Sequence, residues 1–366
     1  MNTTTPRVFI AATRQHDGKT TTSLGLIAAL QQVFPRVGYI KPVGQRFVEI
    51  EEQKIDEDTV LMDAVYQLNC PLVDMSPIAV EPDFTRKYLE AGRNDALVKK
   101  IQNAFDRVAW EKDFVLCEGS GHAGVGAVFD LSNAQVAKTL GCKVIIISQG
   151  GIGRPIDEVT LSQALFEKEG VEVIGVIINK VLQEKLDYIT EFARRGLKRK
   201  GLELFGVIPH QPILSNPSLG LILEELGAEM LNDPPSNTLY ALVDDVVVGA
   251  MSAQNAIRFF KQGALLITPG DREDIVLAAC TSIDLQSEDR MAGIVLTGGL
   301  RPSESVLKVI RTMPIPVLLV KQDSYRVASK VHNLTVKTRP NDVEKISLIR
   351  DIIARSVDVE KILKAL

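Results

Sequence analysis

Residues 7–30 read RVFIAATRQHDGKTTTSLGLIAAL, and the fold turns on whether the DGKTTT at its centre is a phosphate cradle or a polar turn. Val8 to Ala12 is apolar and β-prone, and Ser23 to Leu30 has helical character, so the turn joins a strand to a helix. Gly18, Lys19 and Thr20 match the GK[ST] end of the phosphate-loop pattern, while Thr13 stands where the first glycine of that pattern would be. Backbone N–H groups at a helix start, with the positive end of the helix dipole, form an anion site, and Gly18 lets the main chain come close. In this reading Lys19 reaches the β/γ-phosphates, the Thr20 hydroxyl binds Mg²⁺, and Thr13, Gly18 and Thr21 complete the nucleotide contacts. The alternative is that Asp17 and Thr20 cap an ordinary helix.

Outward from this stretch, further Val/Ile-rich runs alternate with helical patterns: VGYIKPV, DFVLCEG, KVIIISQ, VEVIGVIINKV and ELFGVIP. Continuous apolar runs suit strands buried on both faces, with helices as the crossovers, so the expected fold is α/β with a parallel sheet. Ligands collect beyond the carboxyl ends of such strands, where GKTTT, KPVGQ, EGSGHAGVG and NKV would lie. After FGVIPHQPILSNPSLG the pattern loosens, and the Pro/Asn/Ser-rich NDPPSNT at Asn232 to Thr238 reads as a linker. The expected division is a first domain over 1–231, a linker over 232–240 and a second, smaller α/β domain over 241–366. Strands of the second domain are expected in DDVVVGAM, GALLITPG, MAGIVLTGG and IPVLLVK, with helices in AQNAIRFFK and EDIVLAACTSI.

The composition fits two or three domains: 366 residues, 45% hydrophobic and 24% charged, with a net charge of −4. That balance offers no broad basic surface for nucleic acid. No apolar run approaches the length of about 20 residues that spans a bilayer, and the start lacks a signal-peptide core, so the expected compartment is the cytoplasm without a membrane partner. Cys70, Cys117, Cys142 and Cys280 show no paired spacing and read as small buried residues.

Glu118, at the end of DFVLCEG, would face the mouth of the sheet, where an acid can hold Mg²⁺ opposite the phosphate-loop hydroxyl. It can equally be a loop carboxylate beside a glycine turn. His122 and Arg154, in GGIGRPIDE, are further polar candidates.

The combination of TRQHDGKTTTSLGL, GYIKPVGQ, DEDTVLM, LCEGSGHAGVG, VIINKV and FGVIP, over roughly residues 6 to 215, resembles the dethiobiotin synthetase-like ATPase domain. That version occurs at the amino terminus of long phosphate acetyltransferases and in cobyrinic acid a,c-diamide synthases. The resemblance implies a P-loop fold in which ATP and a small acidic substrate meet, often across a homodimer interface. It implies that Lys19 and Thr20 are the phosphate-binding lysine and the Mg²⁺ hydroxyl, and that Lys41 lies near the γ-phosphate and the substrate carboxylate. It further implies that Asp58 and Glu118 bind Mg²⁺, that Asn179 reads the adenine edge, and that Pro209 lines the base pocket. On this resemblance Lys19 and Lys41 are the residues expected to serve catalysis. An amidotransferase of the cobyrinate type should also carry a GxCxG-like nucleophile elbow, and none is present.

LITPGDREDIVLAA and GIVLTGG resemble the DRTGG domain, through Asp271, Arg272, Thr297, Gly298 and Gly299. These loops could form a ligand or subunit contact, or an internal cap with a tight glycine turn. In long phosphate acetyltransferases this domain precedes the catalytic one, for which the stretch up to Leu366 leaves no room. Three functions are therefore expected in order: a Mg-ATP-responsive regulator with slow hydrolysis and a protein partner, an ATP-dependent ligase resembling dethiobiotin synthetase, and an assembly module with a degenerate phosphate loop.

Overall fold

The computed structural model describes residues 1–282, 290–334 and 336–366, in two compact units: Met1–Gln211 with Thr338–Leu366, and Pro212–Lys337. The first unit is built on β1 (Arg7–Ala12), β2 (Val37–Ile40), β3 (Phe114–Glu118), β4 (Lys143–Gln149), β5 (Val173–Val181) and β6 (Glu203–Pro209). They form one six-stranded sheet in the order β6-β5-β4-β1-β3-β2, with every pairing parallel. Each apolar run of the sequence supplies one strand of this sheet. β1 is buried along its whole length because helices cover both faces of the sheet, which is why its sequence does not alternate.

The order of strands places β1 between β3 and β4, so the loop that follows β1 is flanked by the ends of both neighbours. Register sets the details: Ile10 pairs with Glu118, Ala12 with Ile147, Ile40 with Cys117 and Gln149 with Asn179. Helix α1 (Lys19–Leu30) starts directly after the loop, with Gly18 as its N-cap at φ 97°. It is followed by α2 (Glu57–Tyr66) and, after β4, by α3 (Arg154–Lys168). The chain returns to this unit as α4 (Val343–Ser356) and α5 (Val359–Ala365). α4 packs on α1, and Gly206 of β6 makes an antiparallel bridge to Val357.

The second unit is a five-stranded mixed sheet of β7 (Glu229–Met230), β8 (Asp245–Val248), β9 (Ala264–Pro269), β10 (Gly293–Thr297) and β11 (Val317–Leu319). The order is β7-β11-β10-β9-β8, with only β7 antiparallel to its neighbour. Alternate residues face opposite cores: Leu266, Ile294 and Leu296 on one side, Leu265, Ile267 and Val295 on the other. The helical stretch EDIVLAACTSI forms Glu273–Ser282, and its Ile283 lies outside the described residues. AQNAIRFFK is a short helix, Ala253–Ala256, continued as a 3₁₀ turn over Ile257–Phe259.

The boundaries differ from the expected ones. The segment expected as a linker lies inside the second unit, where Asn232 donates to the carbonyls of Met313 (3.1 Å) and Ile315 (2.8 Å) and accepts from Val317 N (2.9 Å). Its Pro/Asn/Ser composition thus marks a segment tacked to the sheet edge by a side chain in place of a ladder. Residues 338–366, expected in the second domain, belong to the first unit.

Candidate functional site

The site is assembled at the carboxyl ends of β1, β2 and β3. Because Ile40 pairs with Cys117, the residues that follow them, Lys41 and Glu118, come side by side, and the Lys41 Nζ lies 3.7 Å from Glu118 Oε1. The Thr20 hydroxyl donates to the same Glu118 oxygen at 2.8 Å, and the Tyr39 hydroxyl donates to its other oxygen at 3.2 Å. Lys41 also contacts Asp58 and stands 3.2 Å from Asp56. Asp56 is the N-cap of α2 and accepts the Asp58 N–H at 2.9 Å, so one helix start delivers both aspartates. The Lys19 ammonium donates to the carbonyl of Gly121, in the glycine-rich loop after β3, at 2.7 Å. That loop is pinned by Asn133, whose Nδ2 donates to the carbonyls of Ser120 and His122, each at 2.8 Å.

Lys19, Lys41, Asp56, Asp58 and Glu118 are all buried. Burial lowers the Lys19 pKa to about 8 against the pull of Glu118. Burial also disfavours the charge on Lys41, but Asp58, Asp56 and Glu118 outweigh it and raise the pKa. Asp56 is pushed up to about 6 by burial, with Lys41 opposing. Three carboxylates thus face two ammonium groups, a cluster with one negative charge in excess.

The phosphate loop has its own scaffold. Thr13, at the position of the missing glycine, donates from Oγ1 to Asp17 Oδ2 at 2.7 Å and lies 3.1 Å from the Ser148 hydroxyl. The same Asp17 oxygen accepts Arg14 N–H at 2.7 Å, while Asp17 Oδ1 is buried and has no hydrogen-bond partner among the described residues. Burial raises the Asp17 pKa, partly offset by these bonds. Arg14 itself is held by Glu158 of α3, which also pairs with Arg154 at 2.9 Å.

The structure therefore brings Lys19, Thr20, Lys41, Asp58 and Glu118 together, with Thr13 and Gly18 in the loop beside them and Thr21 half-buried in the first turn of α1. Asn179 is 5% exposed and bonds the loop from behind. Pro209 ends β6, paired in register with Val181. Sequence reasoning passed over Tyr39, which reads as one more apolar strand residue, and Lys180. The charge run around DEDTVLM held the signal for Asp56. Among the described residues no group of three or more His, Cys, Asp or Glu side chains is placed to hold a metal ion by itself.

In the second unit four of the DRTGG residues, Arg272, Thr297, Gly298 and Gly299, are bonded internally, and Asp271 is exposed. Arg272 bonds both Asp274 oxygens, at 2.9 and 3.0 Å, and the Met251 carbonyl at 3.0 Å. Thr297 Oγ1 lies 2.7 Å from the Ser324 hydroxyl, and the N–H groups of Gly298 and Gly299 donate to the carbonyls of Gln322 and Val320. The two glycines have φ of 79° and 67°, which the turn requires.

A parallel sheet whose first strand runs through a Gly-Lys-Thr loop into a buried helix defines the class of P-loop NTPase folds. Residues 6–218 match AAA_26, an AAA domain, and residues 221–334 match the DRTGG domain. The first match covers more than half of the chain, and the protein belongs to that P-loop family, with a DRTGG domain following. It is 28% identical over 362 residues to a phosphate acetyltransferase of Nitratidesulfovibrio vulgaris, covering 96% of this chain and 50% of that one. It is 28% identical over 372 residues to a phosphate acetyltransferase of Pseudomonas aeruginosa, covering 96% and 51%. The chain spans about half the length of these curated relatives. Among solved structures, the CBS and DRTGG domains of a Clostridium perfringens pyrophosphatase, complexed with diadenosine tetraphosphate, are similar at 20% identity. That match covers 49% of this chain and 86% of that one, and its TM-score of 0.29 is too low to carry an inference. No helix among the described residues is long and apolar enough to cross a membrane.

Proposed function

We propose that the chain binds ATP with Mg²⁺ at the loop between β1 and α1 and acts as a nucleotide-responsive regulatory protein, with slow hydrolysis. The observation that carries this reading is the bond from Thr20 to Glu118 with Lys41 3.7 Å from the same carboxylate oxygen, beside the buried Lys19. Thr13, Gly18, Lys19, Thr20 and Thr21 would take the triphosphate.

The donor set fits Mg²⁺, which takes hard oxygen ligands and typically uses only one or two protein groups beside phosphate and water. Thr20, Glu118 and Asp58 would hold it, and the negative excess of the cluster favours a cation there. Mg²⁺ held there would neutralise phosphate charge. Lys19 supplies a positive charge at the phosphates. Lys41, held by Asp56, Asp58 and Glu118, would fix the two metal-binding carboxylates beside the phosphates. The resemblance assigns Asn179 and Pro209 to the base. The resemblance extends the proposal to a homodimer and a protein partner.

A ligase acting on a small acidic substrate would need Lys41 to be available to that substrate. Its contacts with Asp56, Asp58 and Glu118 occupy it, which favours regulation. Calorimetric titration with ATP, with and without Mg²⁺, against a Lys19→Ala control tests the site. Mg²⁺-dependent binding that disappears in the control is expected. An unresponsive wild-type protein would leave an assembly module with a degenerate loop.

A further inference from the structure

The end of β5 holds the phosphate loop from behind through two consecutive residues. Asn179 Nδ2 donates to the carbonyl of Asp17 at 2.8 Å, and Lys180 Nζ donates to the carbonyl of His16 at 2.9 Å. Asn179 Oδ1 accepts the Lys180 N–H at 2.8 Å, which fixes the orientation of the amide. The held Asp17 carbonyl lies between two left-handed residues, His16 with φ 67° and Gly18 with φ 97°, and Lys180 itself has φ 58°. A Cβ at Gly18 would lie 2.1 Å from Asn179 Nδ2, so the amide fills the space that any side chain there would need.

We propose that Asn179 and Lys180 are positioning residues for the triphosphate: they hold the Asp17 and His16 carbonyls away from the phosphates so that the loop presents N–H groups to them. This rests on the nucleotide reading above and is a role separate from reading an adenine edge. One N–H of the Asn179 amide serves Asp17 and one lone pair of its oxygen serves Lys180 N–H, so both atoms are anchored to the loop and strand before any base is met. A carbonyl turned into the cradle would set its negative end against the anion, and the two tethers disfavour that peptide flip.

The test compares MgATP with magnesium tripolyphosphate, which has no base, on the full chain. Asn179→Ala and Lys180→Met are each expected to weaken both ligands by a similar factor, on the order of tenfold for the loss of a hydrogen bond worth about 1.4 kcal/mol. Lys180→Arg retains most of the affinity. In the free protein, amide hydrogen exchange at Asp17 to Lys19 rises in Asn179→Ala and Lys180→Met. If Asn179→Ala weakens MgATP but leaves tripolyphosphate unchanged, the residue reads the base and the inference fails alone. If both variants bind both ligands as the wild type does, the tethers are idle and it also fails. A wild-type protein that binds neither ligand overturns the nucleotide reading and this inference with it.

Discussion

Lys19 and Lys41 sit in one buried cluster and are driven in opposite directions. Lys19 has burial lowering its pKa to about 8, whereas the carboxylates around Lys41 raise its pKa above the usual lysine value. A triphosphate needs Lys19 charged, so as pH rises through about 8 the free protein loses that proton and binding must take one up. Nucleotide affinity is therefore expected to fall above this pH, and titrations in buffers of different ionisation enthalpy should show proton uptake; none at pH 8 to 9 would contradict it. The stability sign runs the other way. The folded-state pKa lies below the value of 10.5, so burying the charge costs stability at pH 7, and the cost is relieved as pH rises from about 8 towards 10.5. Lys19→Met should accordingly melt at a higher temperature than the wild type at pH 7 while losing the ligand. Lys41→Met should do the reverse, losing about 3–5 kcal/mol in denaturant unfolding, because it leaves buried carboxylates uncompensated. The identity of the lysines, the threonine and Glu118 was legible, since strand ends in a parallel sheet converge on one edge. The share of Asp56 was not, because Asp56 and Asp58 compete in the sequence and only the helix start shows that both reach Lys41.

At the scale of elements, α1 is the piece whose sequence says least about its surroundings. Thr22, Ser23, Leu24, Gly25, Leu26 and Ile27 are consecutive and all buried, so this helix has no solvent face there to give it an amphipathic period. The sheet covers one side and α4 the other. Gly25 permits the close approach: a Cβ there would lie 2.2 Å from Ile353 Cγ1 and 3.1 Å from the Ile349 carbonyl. α4 also reaches α2, where the Arg350 guanidinium sits 5.0 Å from the Tyr66 ring centre and the Tyr66 hydroxyl donates to the Leu24 carbonyl at 2.5 Å. One helix thus backs the two that carry Thr20 and Asp58. Helix propensity alone favours Gly25→Ala by about 1 kcal/mol. Packing has the opposite sign, since pushing two close helices apart costs about 1–3 kcal/mol. The expected result is a lower melting temperature, and an unchanged or higher one would show that the contact relaxes freely.

The whole molecule is a first unit whose chain departs after Gln211 and comes back at Thr338. The family matches, 6–218 and 221–334, stop short of that return, and so did the reading of the sequence, because an amphipathic tail does not name the surface it covers. The tail buries Ile346, Ile349, Ile353, Val357 and Ile362. At about 1.5–3 kcal/mol for each buried side chain, this is on the order of 10 kcal/mol, comparable with the whole stability of an ordinary domain. It also closes the edge strand β6: Asp358 N–H donates to the Phe205 carbonyl at 2.8 Å, and Lys361 pairs with Glu203 at 2.5 Å. A fragment cut at residue 218 should therefore expose apolar surface on α1 and an open strand edge, binding a hydrophobic dye and aggregating where the full chain does not. The fragment 212–337, whose sheet and two cores are internal, should fold alone. Thermal melts of both fragments decide the matter: a cooperative transition in 1–218 at the temperature of the full chain would mean that the returning helices are an accessory, and a failed 212–337 would mean that the two units depend on each other for stability.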